Sequence, residues 1–367
     1  MQIKTYIILT VWILFSITII SCTPKPTKID VPPPPSPPTL SIRPAPSDVP
    51  PTRTPITLDT RLPSLEPETP EPVFETPIPT PCSPTACMLP GHFLLSAPLP
   101  ASANLAPDAT YRYGDTQSAR RLIHHGIDIK NPLGTPVLAA AEGVVIVAGN
   151  DKVTKYGEKE DFYGNLVIIQ HDFPEIAKPI FSLYGHLSKV ETTIGQRVKT
   201  GEKIGRVGMT GVAIGYHLHF EVRIGENHYE NTRNPVLWLK PQKDSSGNIG
   251  GALAGRIINS NGLPMRIAKI VIKPVGALPY ETPIYLNTYD DPTIPRRIGG
   301  ARDDSFLMPY QDGDLTLGRD DVWREDFALS NLTAGKYYLS FTSQIVHRQV
   351  IEIKPGKLTL ANVMVDY

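Results

Sequence analysis

The chain has 367 residues, room for two ordinary domains. Its 36 lysines and arginines balance 36 aspartates and glutamates, so it lacks the basic excess that nucleic-acid binding calls for. Of its 39 prolines, 24 fall before residue 101, which sets the N-terminal quarter apart from any packed domain.

In chain order, Lys4 precedes an apolar run over residues 6–20 that is broken only by Thr10, Ser16 and Thr18. The run is shorter than the ~20 residues that span a bilayer. Residues 1–21 are therefore expected to be an export signal. The run ends in Ile19-Ile20-Ser21-Cys22, which resembles a bacterial lipobox. That resemblance implies a lipid on Cys22 and a membrane-anchored lipoprotein in the cell envelope, facing outside the cytoplasm. Residues 22–90 are rich in Pro, Thr, Ser and Glu. Such a stretch has too little apolar content for a core and is expected to be an extended, disordered linker. Cys82 and Cys87 close its end, and in an exported chain they form a candidate disulfide.

From residue 91 apolar and polar residues alternate, and Gly195, Gly201, Gly205, Gly208 and Gly211 punctuate short segments. Strands are expected over 137–148, 166–171, 180–186 and 217–224. The fold class is mainly β, with an antiparallel sheet domain over 91–243. Lys243-Asp244-Ser245-Ser246-Gly247 reads as a hinge. Over 249–367 a second set of short strands, separated by turns such as Asn261-Gly262, predicts a small β-sandwich.

Two motifs carry the chemistry. His124-His125-Gly126-Ile127-Asp128 has the form H-x-x-x-D, and His217-Leu218-His219 has the form H-x-H. Imidazole and carboxylate suit zinc, and three protein ligands with a fourth position left to water make a catalytic site. On a strand, residues two apart share a face, so His217 and His219 look into one groove while Leu218 and Phe220 face the core. Spacing alone does not choose between His124 and His125 as the ligand.

Four blocks in order resemble the lysostaphin/LytM-type zinc metallopeptidases, which cut peptide bonds in peptidoglycan. They are His124 to Asp128 followed by Gly134-Thr135-Pro136-Val137, Tyr184-Gly185-His186-Leu187-Ser188, the glycine-punctuated stretch 195–211, and 215–222. The resemblance covers roughly residues 110–235. It implies Zn2+ held by His124, Asp128 and His219, and catalytic roles for His186 and His217. It implies a zinc metalloendopeptidase acting on peptidoglycan. Tyr113 aligns with a tyrosine that assists the oxyanion in some relatives. A non-enzymatic activator of other wall hydrolases is the rival reading, and the presence of all five motif residues argues against it. The loop 151–161 is a departure from the family pattern and is expected to shape one wall of the groove. The C-terminal part, through residues 255–262 and 332–337, resembles carboxypeptidase-regulatory-like, transthyretin-type β-sandwich domains.

Overall fold

The structure is a computed structural model that describes residues 87–89, 91–117, 120–244, 246–267, 269–278, 280–289, 317–343 and 345–365. The expected export signal, Cys22, Cys82 and nearly all of the expected linker lie outside the described residues.

The chain is nearly all strand. In order the strands are β1 Cys87–Leu89, β2 Ile127–Lys130, β3 Pro136–Leu138, β4 Gly143–Asn150, β5 Asn165–His171, β6 Ile180–Gly185, β7 Leu187–Val190, β8 Arg197–Val198, β9 Lys203–Val207 and β10 His217–Ile224. There follow β11 Thr232–Arg233, β12 Gly251–Gly255, β13 Ile257–Asn259, β14 Ile270–Pro274, β15 Ile284–Leu286, β16 Phe327–Leu332, β17 Gly335–Thr342, β18 Val346–Ile353, β19 Leu358–Leu360 and β20 Val363–Val365.

A large sheet runs β11-β10-β6-β5-β4-β8, with β2 added beside β10, and every pairing in it is antiparallel. A smaller sheet, β3-β9-β7, packs its apolar side chains into the same core. Residues 137–148, expected to be one strand, divide between the two sheets. Ala139, Ala140 and Ala141 are buried at the crossing, and Ala140 donates its N–H to the Tyr184 hydroxyl at 2.8 Å. Glu142-Gly143 interrupts the apolar run where the chain passes from one sheet to the other, a glycine break that a single strand over 137–148 overlooks.

Two further four-stranded sheets are β1-β19-β12-β16 and β15-β14-β17-β18, built from C-terminal strands with β1 added at the edge of the first. In the first, β12 and β19 run parallel. Strand β12 has the sequence Gly-Ala-Leu-Ala-Gly, and its alternation serves two cores. Ala252 and Ala254 join the cluster formed by the large sheet, whereas Leu253 joins Ile270, Ile272, Leu339 and Phe341 in a second cluster. Ala328 and its neighbours Phe327 and Leu329 in β16 divide the same way. The larger apolar cluster therefore crosses the expected boundary near residue 243. Polar contacts cross it too. His92 stacks between Trp238 and Trp323, and its Nε2 lies 2.9 Å from Asp320 Oδ2. Arg233 pairs with Asp321 at 2.7 Å.

Candidate metal centre

Strand β10 is the spine of the site. It is buried along its whole length and is an interior strand, with β6 along one edge and β2 and β11 along the other. Leu218, Phe220, Val222 and Ile224 belong to the main core, and the period of two puts His217, His219, Glu221 and Arg223 on the opposite face. In the ladder with β2, His219 stands opposite Asp128.

His124 comes from the turn that leads into β2. That turn presses on β10 at Gly126, where a Cβ would lie 2.6 Å from the Phe220 carbonyl oxygen and 2.8 Å from the His219 ring. Only glycine permits this approach. Three ligand atoms then converge. His219 Nδ1 lies 2.9 Å from Asp128 Oδ1, His124 Nε2 lies 3.2 Å from the same oxygen, and the two nitrogens are 3.3 Å apart. Ligands about 2.0–2.1 Å from a tetrahedral ion stand ~3.3 Å from one another, so the trio has the dimensions of a zinc site. Among the described residues it is the group of histidine, cysteine and acidic side chains that can hold a metal.

The outer ring atoms fix which nitrogen of each imidazole faces inward. His124 donates Nδ1–H to the Tyr111 carbonyl at 2.9 Å, and the Tyr111 ring lies parallel on the imidazole at 4.1 Å. His219 donates Nε2–H to Glu221 Oε1 at 3.0 Å. Metal-binding histidines are oriented in this way. Glu221 is fully buried and is held by Arg223, whose guanidinium lies 2.7 Å from Oε2, and by the Tyr163 hydroxyl. Burial alone would raise the Glu221 carboxyl. Arg223 and His219 outweigh it and hold the group at about 2. For His219, burial opposes the charged form, but the bonds to Asp128 and Glu221 win and push the imidazole up to about 9. His124 and His219 in turn keep Asp128 well below the usual carboxylate range, against its burial.

His186 and His217 complete the floor. His186 follows β6 in the left-handed region at φ 60°, where the chain switches from the large sheet to the small one. It donates Nδ1–H to Thr210 O at 2.8 Å, and His217 donates Nδ1–H to Gly215 O at 3.0 Å. Their rings meet edge to face at 4.8 Å. His217 Nε2 lies 3.5 Å from Asp128 Oδ1. Burial, and then the neighbouring imidazoles His219 and His217, depress His186 to about 3. Burial also lowers His217. Both are neutral bases near pH 7.

These groups line one cleft of about 760 Å³. Glu158 and Phe162 of the loop after β4 form part of its wall, as do Val212 and Ile214 of the loop after β9. The two loops touch backbone to backbone at Gly164 and Gly211, where a Cβ on either would meet the other's nitrogen at 2.4 Å.

The structure brings together His124, Asp128, His186, His217 and His219. His125 turns away from the three ligand atoms: its Nδ1 lies 2.8 Å from Thr232 Oγ1 and its ring stacks on Tyr229. Tyr113 is not brought to the site. Its buried hydroxyl donates to Gly318 O at 2.7 Å, and its ring packs with Ile123, Tyr289 and Leu317. A hydroxyl so engaged, with its pKa raised by burial, is not an oxyanion donor in this cleft. Tyr111, two residues earlier, is the tyrosine beside His124. Glu221, Arg223 and Tyr163 were missed by sequence reasoning. Glu221 had a signal, since it shares the strand face of His219 two residues on.

With this geometry in view, comparison with known proteins is informative. Residues 122–231 match the model of peptidase family M23. Over 150 residues the chain is 42% identical to DD-carboxypeptidase/endopeptidase Mpg of Neisseria meningitidis, covering 41% of this chain and 30% of that protein. Over 99 residues it is 37% identical to peptidoglycan DD-endopeptidase ShyA of Vibrio cholerae, covering 27% of this chain and 20% of that protein. The chain thus spans less than a third of the length of either relative. A zinc-containing peptidase from Vibrio cholerae of known structure is 29% identical, with a TM-score of 0.30 over 37% of this chain and 38% of that one. The M23 match contains all five of the converging residues.

Proposed function

We propose that the protein is an exported, lipid-anchored zinc metalloendopeptidase that hydrolyses peptide bonds in peptidoglycan. The observation that carries this reading is the convergence of His124 Nε2, Asp128 Oδ1 and His219 Nδ1 beside two neutral imidazoles in an open cleft. The M23 match and the names of the endopeptidase relatives support the substrate class. Export and anchoring draw their support from the N-terminal sequence, above all the apolar run that ends at Cys22.

When bound in such a site, zinc supplies Lewis acidity to a water molecule and to a carbonyl oxygen. The chain's own residues do the rest. His124, Asp128 and His219 hold the ion and leave one side open to the cleft. His186 and His217 each commit Nδ1–H to a backbone carbonyl and leave Nε2 able to accept a proton. A proton taken up at one of these nitrogens is then available to the departing amine.

Two measurements on the purified protein test this reading. Metal analysis is expected to find about one zinc per chain, and a chelator should abolish hydrolysis until zinc is restored. Digestion of peptidoglycans of several cross-link types, with fragments identified by mass, is expected to release peptides cut within stems or cross-links. Full turnover in the chelated protein, or no cleavage of any wall preparation by the zinc-loaded one, would overturn it.

A further inference from the structure

The cleft carries charged groups that the metal site does not use. Arg120 and Arg121 form part of its rim, and both side chains are exposed. The Arg121 guanidinium lies 4.9 Å from the centroid of the Tyr111 ring, and that ring stacks on His124 at 4.1 Å. One ring, that of Tyr111, therefore separates the positive charge from a metal ligand. In the same domain Lys130 pairs with Asp108, Arg206 with Glu191 and Arg233 with Asp321. Among the described residues, neither Arg120 nor Arg121 has an ion-pair partner. The acidic groups of the cleft do not compensate them. Asp128 belongs to the ligand trio, and Glu221 is neutralised by Arg223 behind it. Glu158 is the remaining carboxylate of the lining, and it comes from the loop after β4.

We propose that Arg120 and Arg121 bind a carboxylate of the substrate peptide, within about three residues of the scissile bond. This deepens the endopeptidase reading and rests on it. The planar fork of arginine matches a carboxylate with two parallel hydrogen bonds, which a carboxamide cannot reproduce. An extended peptide advances ~3.3 Å per residue, so the two ring spacings, 4.9 and 4.1 Å, correspond to about three residues of extended chain between the guanidinium and the His124 ring. The ring stack below fixes Arg121 so that part of the ordering cost of its side chain is already met. The pair thus selects wall peptides whose carboxylate is free over those in which it is amidated.

The test uses two synthetic cross-linked peptides, alike except that a carboxylate within about three residues of the scissile bond is free in one and a carboxamide in the other. The zinc-loaded protein is expected to cut the free acid with about tenfold higher kcat/KM, the difference lying mainly in KM, as uniform binding requires. In the Arg120→Ala/Arg121→Ala variant, with zinc content equal to the parent's, that ratio should fall toward one. In Arg120→Glu, which leaves the Tyr111 stack in place, it should fall below one. If the double variant fails to hold zinc, Arg120→Glu decides alone. A parent that cuts both peptides equally, or variants that keep the parent's ratio, would sink this inference and leave the peptidase reading intact. A zinc-loaded parent that cuts neither peptide nor intact wall would overturn both.

Discussion

His219 and Asp128 face each other across neighbouring strands, and their ligand atoms are 2.9 Å apart. In the metal-free protein this contact, with Glu221 on the other side of the ring, overcomes burial and holds the imidazole proton up to about 9. A metal at Nδ1 must displace that proton, so binding is linked to its release. Apparent zinc affinity is therefore expected to rise by up to about tenfold per pH unit between pH 7 and pH 9. Competition with a metal indicator across that range measures it. Asp128→Asn and His219→Ala should both bring zinc content close to zero, and either variant with full zinc occupancy would contradict the ligand assignment.

His186 is expected to separate chemistry from metal binding. Its Nδ1–H bonds to Thr210 O, and it belongs to none of the three ligand contacts. His186→Ala should keep about one zinc per chain and lose ~10²-fold or more in kcat, as loss of a positioned acid–base group does. Loss of zinc in step with rate would make it a ligand instead.

Glu221 orients His219 and is itself balanced by Arg223, with both side chains fully buried. Glu221→Gln keeps the shape but leaves a buried guanidinium without its counter-charge. Two effects are expected: a 10–100-fold fall in zinc affinity from the disturbed ligand, and destabilisation on the order of 3–5 kcal/mol from the unpaired charge. Chemical denaturation of the metal-free protein reads the second independently of the first. Unchanged stability would mean that Arg223 finds another partner.

Much of the site was legible because two strand residues of period two and one H-x-x-x-D turn do not depend on distant context. The pairing of His217 with His219 on one strand face follows from such a local rule, and the strand expected over 217–224 matches β10. Tyr113 is drawn away from the cleft by contacts that local sequence does not reveal, and Tyr111, which does stack on His124, likewise gives its hydroxyl to a carbonyl, that of Leu122 at 2.7 Å. Only the packing of Tyr289 and the Gly318 carbonyl, more than 170 residues away, captures the Tyr113 hydroxyl. The choice of His124 over His125 came from the family resemblance and not from spacing, since what occupies His125 is Thr232 and Tyr229. The shared wall at β12 is written in Ala252, Leu253 and Ala254, but small apolar residues give no sign of serving two cores.

That shared wall makes the metal domain dependent on the C-terminal strands. A chain ended after Lys243 would strip Ala252, Ala254, Trp323, Ala328 and Leu358 from the larger cluster and leave Trp238 and Leu95 uncovered. Each buried side chain so exposed costs roughly 1.5–3 kcal/mol for the larger residues, against a total stability of about 5–15 kcal/mol. The truncated chain is expected to aggregate or to unfold at much lower denaturant than the full chain. Equal unfolding midpoints for the two would show that the clusters are energetically separate.

Glu325 offers a pH signature far from the metal. It is fully buried, accepts from the Tyr289 hydroxyl at 2.9 Å and from the Asp320 N–H at 3.0 Å, and is pushed up to about 8, first by burial and then by the charge of Asp320. A carboxyl whose folded pKa lies above its unfolded value of 4.5 binds more proton in the folded chain. Its contribution to stability is fully present below pH 4.5 and is lost as pH rises through about 8. Glu325→Gln keeps a neutral group of the same shape, with its oxygen accepting one bond and Tyr289 able to accept from its amide. The parent's unfolding midpoint should therefore fall from pH 5 to pH 8 by more than that of Glu325→Gln, with the variant the more stable of the two at pH 8 and above. Thermal unfolding of both metal-free proteins across this range makes the comparison. Parallel curves would mean that Glu325 titrates alike in the folded and unfolded chains, and that the contact with Tyr289 forms as readily with the ionised group.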